Sequence, residues 1–160
     1  MPEVFILNLT WTQKERTLLE DQKSHEQLCI EKYSLYANQA QDPQLKQICK
    51  TIEQSERHHL DTLNQLLSGT LPNMNQQQNQ QQNQQNMKIA QVPGTLSDKD
   101  ICTDLLMTEK YVSGAYNTAI FEFRDTAVRD VLNHIQKEEQ KHGETLFQYM
   151  NSKGLYNVQQ

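Results

Sequence analysis

Apolar residues return every three to four positions along four stretches of this chain, and the pattern predicts helices near residues 12–40, 43–67, 98–123 and 126–152. At ~100° per residue, Leu19, Cys29, Ile30, Tyr33 and Ala37 share one side of the first helix. Leu45, Cys49, Ile52, Leu60, Leu63 and Leu67 share one side of the second. The third gathers Cys102, Leu105, Leu106, Val112, Tyr116, Ile120 and Phe123, and the fourth Val128, Leu132, Ile135, Leu146 and Met150. Local signals agree with these boundaries. Thr12 with Glu15 makes a capping-box start, and Ser97 with Asp100 a similar one. Pro43 suits a first helical turn after the break "QDP", "RDT" at 124–126 takes the matching place later, and Gly69 and Gly154 stand at helix ends. The fold class is all-α.

The four stretches are two copies of one frame. Glu26 and Glu109 stand 83 residues apart, as do Tyr33 and Tyr116, Glu56 and Glu139, His59 and His142, and Leu63 and Leu146. Each half reads as a helical hairpin, and residues 1–160 as a single domain. The 69–96 connection, which carries the Asn/Gln tract 73–86, is long enough when extended (~90 Å) to return along a ~38 Å helix, so a bundle with one long crossover follows. The tract itself is a solvated polar linker or a docking segment. Phe5, Ile6 and Leu7 precede the first helix and either lie across the bundle end or contact another subunit, which leaves a homo-oligomer open.

Composition changes this picture only by exclusion. The net charge is −5 without a basic stripe, which argues against a nucleic-acid partner. No apolar run approaches the ~20 residues of a membrane span, and "MPEVFILNLT" lacks the basic start and longer apolar region of a signal peptide, so a cytosolic product is expected. Cys29, Cys49 and Cys102 form no Cys-x-x-Cys pair and all fall on core faces, as reduced buried thiols do.

The chemistry lies in the acids that fall inside the apolar stripes. Glu26 and Glu109 sit within them, and so do Glu56 with His59 and Glu139 with His142. Glu31 falls ~140° from Glu26, on the polar side, and His25, His58 and His134 lie off the inward faces. With 12 Glu and 5 His, one Glu-x-x-His pair arises by chance ~0.4 times, so two at equivalent places need a cause. Four carboxylates buried without compensating charge would cost several kcal/mol each or turn into neutral acids. Two divalent cations would neutralise them. One Glu from each of two helices plus Glu-x-x-His from each of the others is how a four-helix bundle holds a carboxylate-bridged metal pair, and oxygen-rich ligation with one nitrogen per metal favours two Fe or two Mn. The alternative is a bundle whose acids and histidines hold no metal. Tyr33 and Tyr116 point to the same interior, either hydrogen-bonding a ligand or simply packing. Gly143 replaces Leu60 at the 83-residue offset, leaving room beside the metals for a small molecule or only relieving crowding.

"EQLCIEKYSLYANQA" (26–40) followed by "SERHH" (55–59) resembles the ferritin-like, rubrerythrin-type pattern, carried through Glu26, Glu56, His59, Glu109, Glu139 and His142. Residues 104–156, ending in "FQYMNSKGLY", resemble the coat F family of spore coat proteins within that superfamily. The resemblance implies a ferritin-like bundle made in the mother-cell cytoplasm and assembled on the spore coat among other coat proteins. It also keeps open peroxidase- or catalase-type chemistry on peroxide or oxygen at a di-iron or di-manganese centre, with no catalytic residue assigned. A four-cysteine rubredoxin module is missing, and Val112 stands where rubrerythrins carry a further glutamate, which places a reductase-coupled peroxidase in doubt and leaves manganese-catalase-like disproportionation. In a purely structural alternative, metals only neutralise the acids and stiffen the bundle.

Overall fold

The computed structural model describes residues 8–73 and 96–157. Phe5, Ile6 and Leu7, and nearly all of the Asn/Gln tract, lie outside the described residues. Helices α1 (Gln13–Gln39), α2 (Pro43–Leu67), α3 (Asp98–Glu122) and α4 (Thr126–Ser152) form a four-helix bundle, with no strand among the described residues. Their ends fall within one residue of the positions predicted from the caps. Thr12 and Glu15 exchange both bonds of a capping box. Asp42 and Asp125 cap α2 and α4 by accepting from Gln44 N and Ala127 N. At α3 only half of the expected box forms: Ser97 Oγ accepts from Asp100 N, while the first-turn acid Asp98 accepts from the backbone N–H groups of Gln41 and Asp42 in the α1–α2 turn. Gly69 and Gly154 have φ of +88° and +68°, the left-handed conformation that ends a helix without a Cβ penalty.

The short turns make α1–α2 and α3–α4 antiparallel hairpins. Contacts between hairpins are antiparallel too, with Lys14 near Glu122 and Lys32 near Asp104 along α1 and α3, and Asp42 near Tyr149 and Lys153 along α2 and α4. α2 therefore ends, and α3 begins, at opposite ends of the bundle, which is the geometry that a long crossover requires. Near the α2 end, Leu9 N donates to Gly69 O and Trp11 Nε1 to Leu66 O, drawing residues 9–11 across the bundle floor.

Two apolar clusters fill the interior. One gathers Tyr36, Leu45, Cys49, Ile101, Leu105 and Leu146, and the other Leu19, Leu63, Leu66, Tyr116, Val128 and Leu132. All three cysteines are buried and unpaired, as expected. Glu15, an acid of the first turn, is buried by design rather than solvated. Its carboxylate accepts from Thr12 N and Arg124 N and takes an ion pair from the Arg124 guanidinium at 3.0 Å, tying the start of α1 to the α3–α4 turn. Burial raises its pKa, and these hydrogen bonds outweigh that and lower it. Glu15→Ala is expected to reduce unfolding free energy by roughly 1–2 kcal/mol in a urea titration, because it removes the acid of the capping box and its bonds to Thr12 and Arg124.

Candidate metal centre

The six residues singled out in the sequence meet between the two apolar clusters. Glu26, Glu56, His59, Glu109, Glu139 and His142 are all buried, the four glutamates at 0–2% exposure. The i, i+3 spacing places each Glu-x-x-His pair on one face, and the antiparallel hairpins bring the single glutamates opposite them. Glu26, Glu56, His59 and Glu139 each offer a ligand atom within 4.8 Å of the others, and so do Glu56, Glu109, Glu139 and His142. Glu56 and Glu139 belong to both groups.

Detail within the cluster repeats about the bundle axis. His59 Nδ1 lies 3.1 Å from Glu139 Oε1, 3.2 Å from Glu56 Oε2 and 3.7 Å from Glu26 Oε1. His142 Nδ1 lies 3.2 Å from Glu56 Oε1, 3.5 Å from Glu109 Oε1 and 3.6 Å from Glu139 Oε2. The imidazoles stack with centroids 5.8 Å apart. Tyr33 donates its hydroxyl proton to Glu109 Oε1 at 2.5 Å, and Tyr116 donates to Glu26 Oε1 at 2.6 Å, so each tyrosine fixes the single glutamate of the other hairpin. Both tyrosines are also packed in the apolar clusters. Tyr33→Phe and Tyr116→Phe are each expected to cost about 1–3 kcal/mol in chemical denaturation, with similar values because the contacts are equivalent.

Two residues of the site were not anticipated. Glu138 Oε1 lies 3.2 Å from His59 Nε2 and 3.0 Å from the exposed His134, and Ser55 Oγ lies 3.0 Å from His142 Nε2. Ser55 and Glu138 stand 83 residues apart, so the repeat itself carried a signal for them. A carboxylate at Nε2 accepts a ring proton there, while Nδ1 of His59 faces the carboxylate oxygens of Glu56 and Glu139. Lone pairs facing lone pairs require a proton or a cation between them.

The charge balance without metal is correspondingly tense. Burial, together with its neighbour Glu26, pushes Glu56 up to about 7, and burial with the nearby Glu139 pushes Glu109 up to about 8. Burial acts against a charged His142, but the carboxylates of Glu109, Glu139 and Glu56 outweigh it and raise the ring to about 11. Glu26 moves the other way, to about 2, as hydrogen bonds with Glu56 and His59 overcome its burial. Even so, Glu26 Oε2, Glu56 Oε1, Glu109 Oε2, Glu139 Oε2 and His142 Nδ1 are buried without a hydrogen-bond partner. Orphaned buried acceptors aimed at one another are costly unless something binds among them. The donor set, four carboxylates and two imidazole nitrogens, fits a pair of hard divalent cations.

Residues 97–159 match the family model of the Coat F domain. A Bacillus subtilis (strain 168) protein whose name is "Uncharacterized protein YusN" is 39% identical over 92 residues, 54% of this chain and 76% of that relative. The chain belongs to the coat F family. In this coat F chain the matched segment supplies α3 and α4 with Glu109, Glu139 and His142, while Glu26, Glu56 and His59 come from the hairpin before it. No described helix is long and apolar enough to cross a membrane.

Proposed function

We propose that this coat F protein is a component of the spore coat, made in the mother cell, whose duplicated hairpins form a ferritin-like bundle around a pair of iron or manganese ions. Family membership supports the coat assignment. The metal reading rests on one observation: two four-residue donor groups, each with one imidazole, share Glu56 and Glu139 in the buried interior. In this reading Glu56 and Glu139 would serve both ions, Glu26 and Glu109 would be the terminal carboxylates of one ion each, and His59 and His142 would each hold one ion. Tyr33 and Tyr116 keep the terminal carboxylates oriented, while Glu138 and Ser55 fix the imidazole rings. A bound pair of this kind supplies redox and Lewis-acid chemistry toward peroxide or oxygen.

The coat and metal readings are tested separately. A fluorescent fusion expressed from the native promoter is expected to appear only in sporulating cells and to decorate the spore, whereas a diffuse signal in vegetative cells would exclude the coat assignment. Elemental analysis of protein purified without chelator is expected to give close to two Fe or Mn per chain. A metal-free, fully stable protein would leave a helical scaffold alone. Oxygen evolution on adding hydrogen peroxide to the loaded protein would mark it as an enzyme of the catalase type, and inertness in both oxidised and reduced forms would mark the metals as structural.

A further inference from the structure

The two halves of the centre differ in one respect that the repeat makes easy to see. A groove of about 580 Å³ opens on the α3–α4 side, with Glu109 and Glu139 in its lining beside Leu106, Ser113, Gly143 and Phe147. Each of these two glutamates carries an orphaned Oε2, as Glu26 does on the other side. At the 83-residue offset, Ser113 corresponds to Ile30 and Gly143 to Leu60, so the first hairpin has branched apolar side chains where the second has a hydroxymethyl group and a hydrogen. Ile30 is buried. The histidines follow suit: the His59 side chain is 1% exposed and that of His142 is 11% exposed. Their outer partners differ in the same sense, since the long carboxylate of Glu138 covers Nε2 of His59 and the short Ser55 meets Nε2 of His142.

Resting on the metal reading, we infer that the two metal positions are inequivalent and that a small ligand of peroxide or azide size enters by the Gly143 groove and binds at the Glu109–His142 position. The Glu26–His59 position is closed. At the floor of the groove Glu109 is 2% exposed and Glu139 fully buried, which favours a small ligand over a bulky one. Gly143 sets the width. A Cβ there would lie 3.7 Å from Leu106 Cδ1 and 4.0 Å from Glu109 Cβ, ordinary contacts, so a side chain can begin at this lining position without a clash at its first carbon.

Azide is a suitable probe, titrated into protein loaded with iron or manganese and followed by the absorption change on binding. Wild type is expected to bind about one azide per two metals. Gly143→Leu, which copies the first hairpin, is expected to keep two metals per chain and weaken azide binding at least tenfold. Ser113→Ile, one turn from the ligand Glu109, is expected to weaken it in the same direction. Gly114→Ala, with open space around it on α3, serves as the control and is expected to bind azide as wild type does. Unchanged azide affinity in both groove variants at full metal content, or two equivalent azides per metal pair in wild type, would overturn the groove proposal and leave the metal centre intact. A wild-type protein that takes up no metal would overturn the centre itself, and the groove proposal with it.

Discussion

Glu56→Ala is expected to empty both metal positions, taking metal content from near two per chain to near zero, whereas Glu26→Ala is expected to weaken only one. The difference follows from sharing. Glu56 belongs to both donor groups, lying near His59 through Oε2 and near His142 through Oε1. Glu26 belongs to the His59 group alone. Removing an outer-shell partner of a metal ligand already costs roughly 10- to 100-fold in affinity, so loss of a carboxylate that would serve both ions should exceed that at each of them. Glu139→Ala is expected to reproduce Glu56→Ala, and Glu109→Ala to reproduce Glu26→Ala at the other ion. Metal analysis after gel filtration separates these outcomes. Equal retention by Glu26→Ala and Glu56→Ala would contradict the sharing.

The second large effect is a pH dependence that appears when metal is withdrawn. In the metal-free protein, Glu56 and Glu109 titrate at about 7 and about 8, both above their unfolded value of 4.5. A group whose pKa is raised by folding stabilises the fold below its unfolded pKa and loses that contribution as pH rises through its folded pKa. Both acids therefore favour the fold near pH 4.5 and cease to do so by about pH 8. His59, held far above its usual range by surrounding carboxylates against the effect of burial, and His142, at about 11, extend the same downward trend to higher pH. Glu26 and Glu138, each lowered to about 2, act oppositely and lose their contribution only in strong acid. Chelator-treated protein is thus expected to be most stable near pH 5 and to lose stability toward pH 8. With about two protons involved, the slope is roughly 2–3 kcal/mol per pH unit, or about 5–10 °C in Tm. Cations replace those protons, so the loaded protein should lack the slope, and the gap in Tm between loaded and metal-free forms should widen as pH rises. Scanning calorimetry from pH 5 to 8 in both forms checks this, and parallel curves would contradict it.

The helix ends were legible because their signals are local: the Thr12 capping box, the QDP and RDT breaks and the two glycines act on chain within a few residues. The inward acids were legible because a fixed angle per residue decides which face a side chain joins. Contacts made across helices were less so. Glu138 reads as one more solvated charge until His59 is placed beside it, and nothing local to Asp98 says that its carboxylate will hold the α1–α2 turn. The Trp11 bond to Leu66 spans 55 residues and depends on where α2 ends. Gln22, Tyr36 and Tyr149 are buried although polar or amphipathic, and for the tyrosines the reason is a cross-helix carboxylate, Asp104 for Tyr36 and Asp42 for Tyr149. The repeat was the strongest untapped source, since the offset that relates Glu56 to Glu139 also relates Ser55 to Glu138.

Anomalous diffraction at the iron and manganese edges, from crystals of protein never exposed to chelator, tests the central claim most directly. The expected result is two peaks about 3.5–4 Å apart, the spacing of two-metal sites. One should lie among Glu26, Glu56, His59 and Glu139, and the other among Glu56, Glu109, Glu139 and His142. Crystals grown with both metals supplied, showing no peak between those side chains, would contradict it.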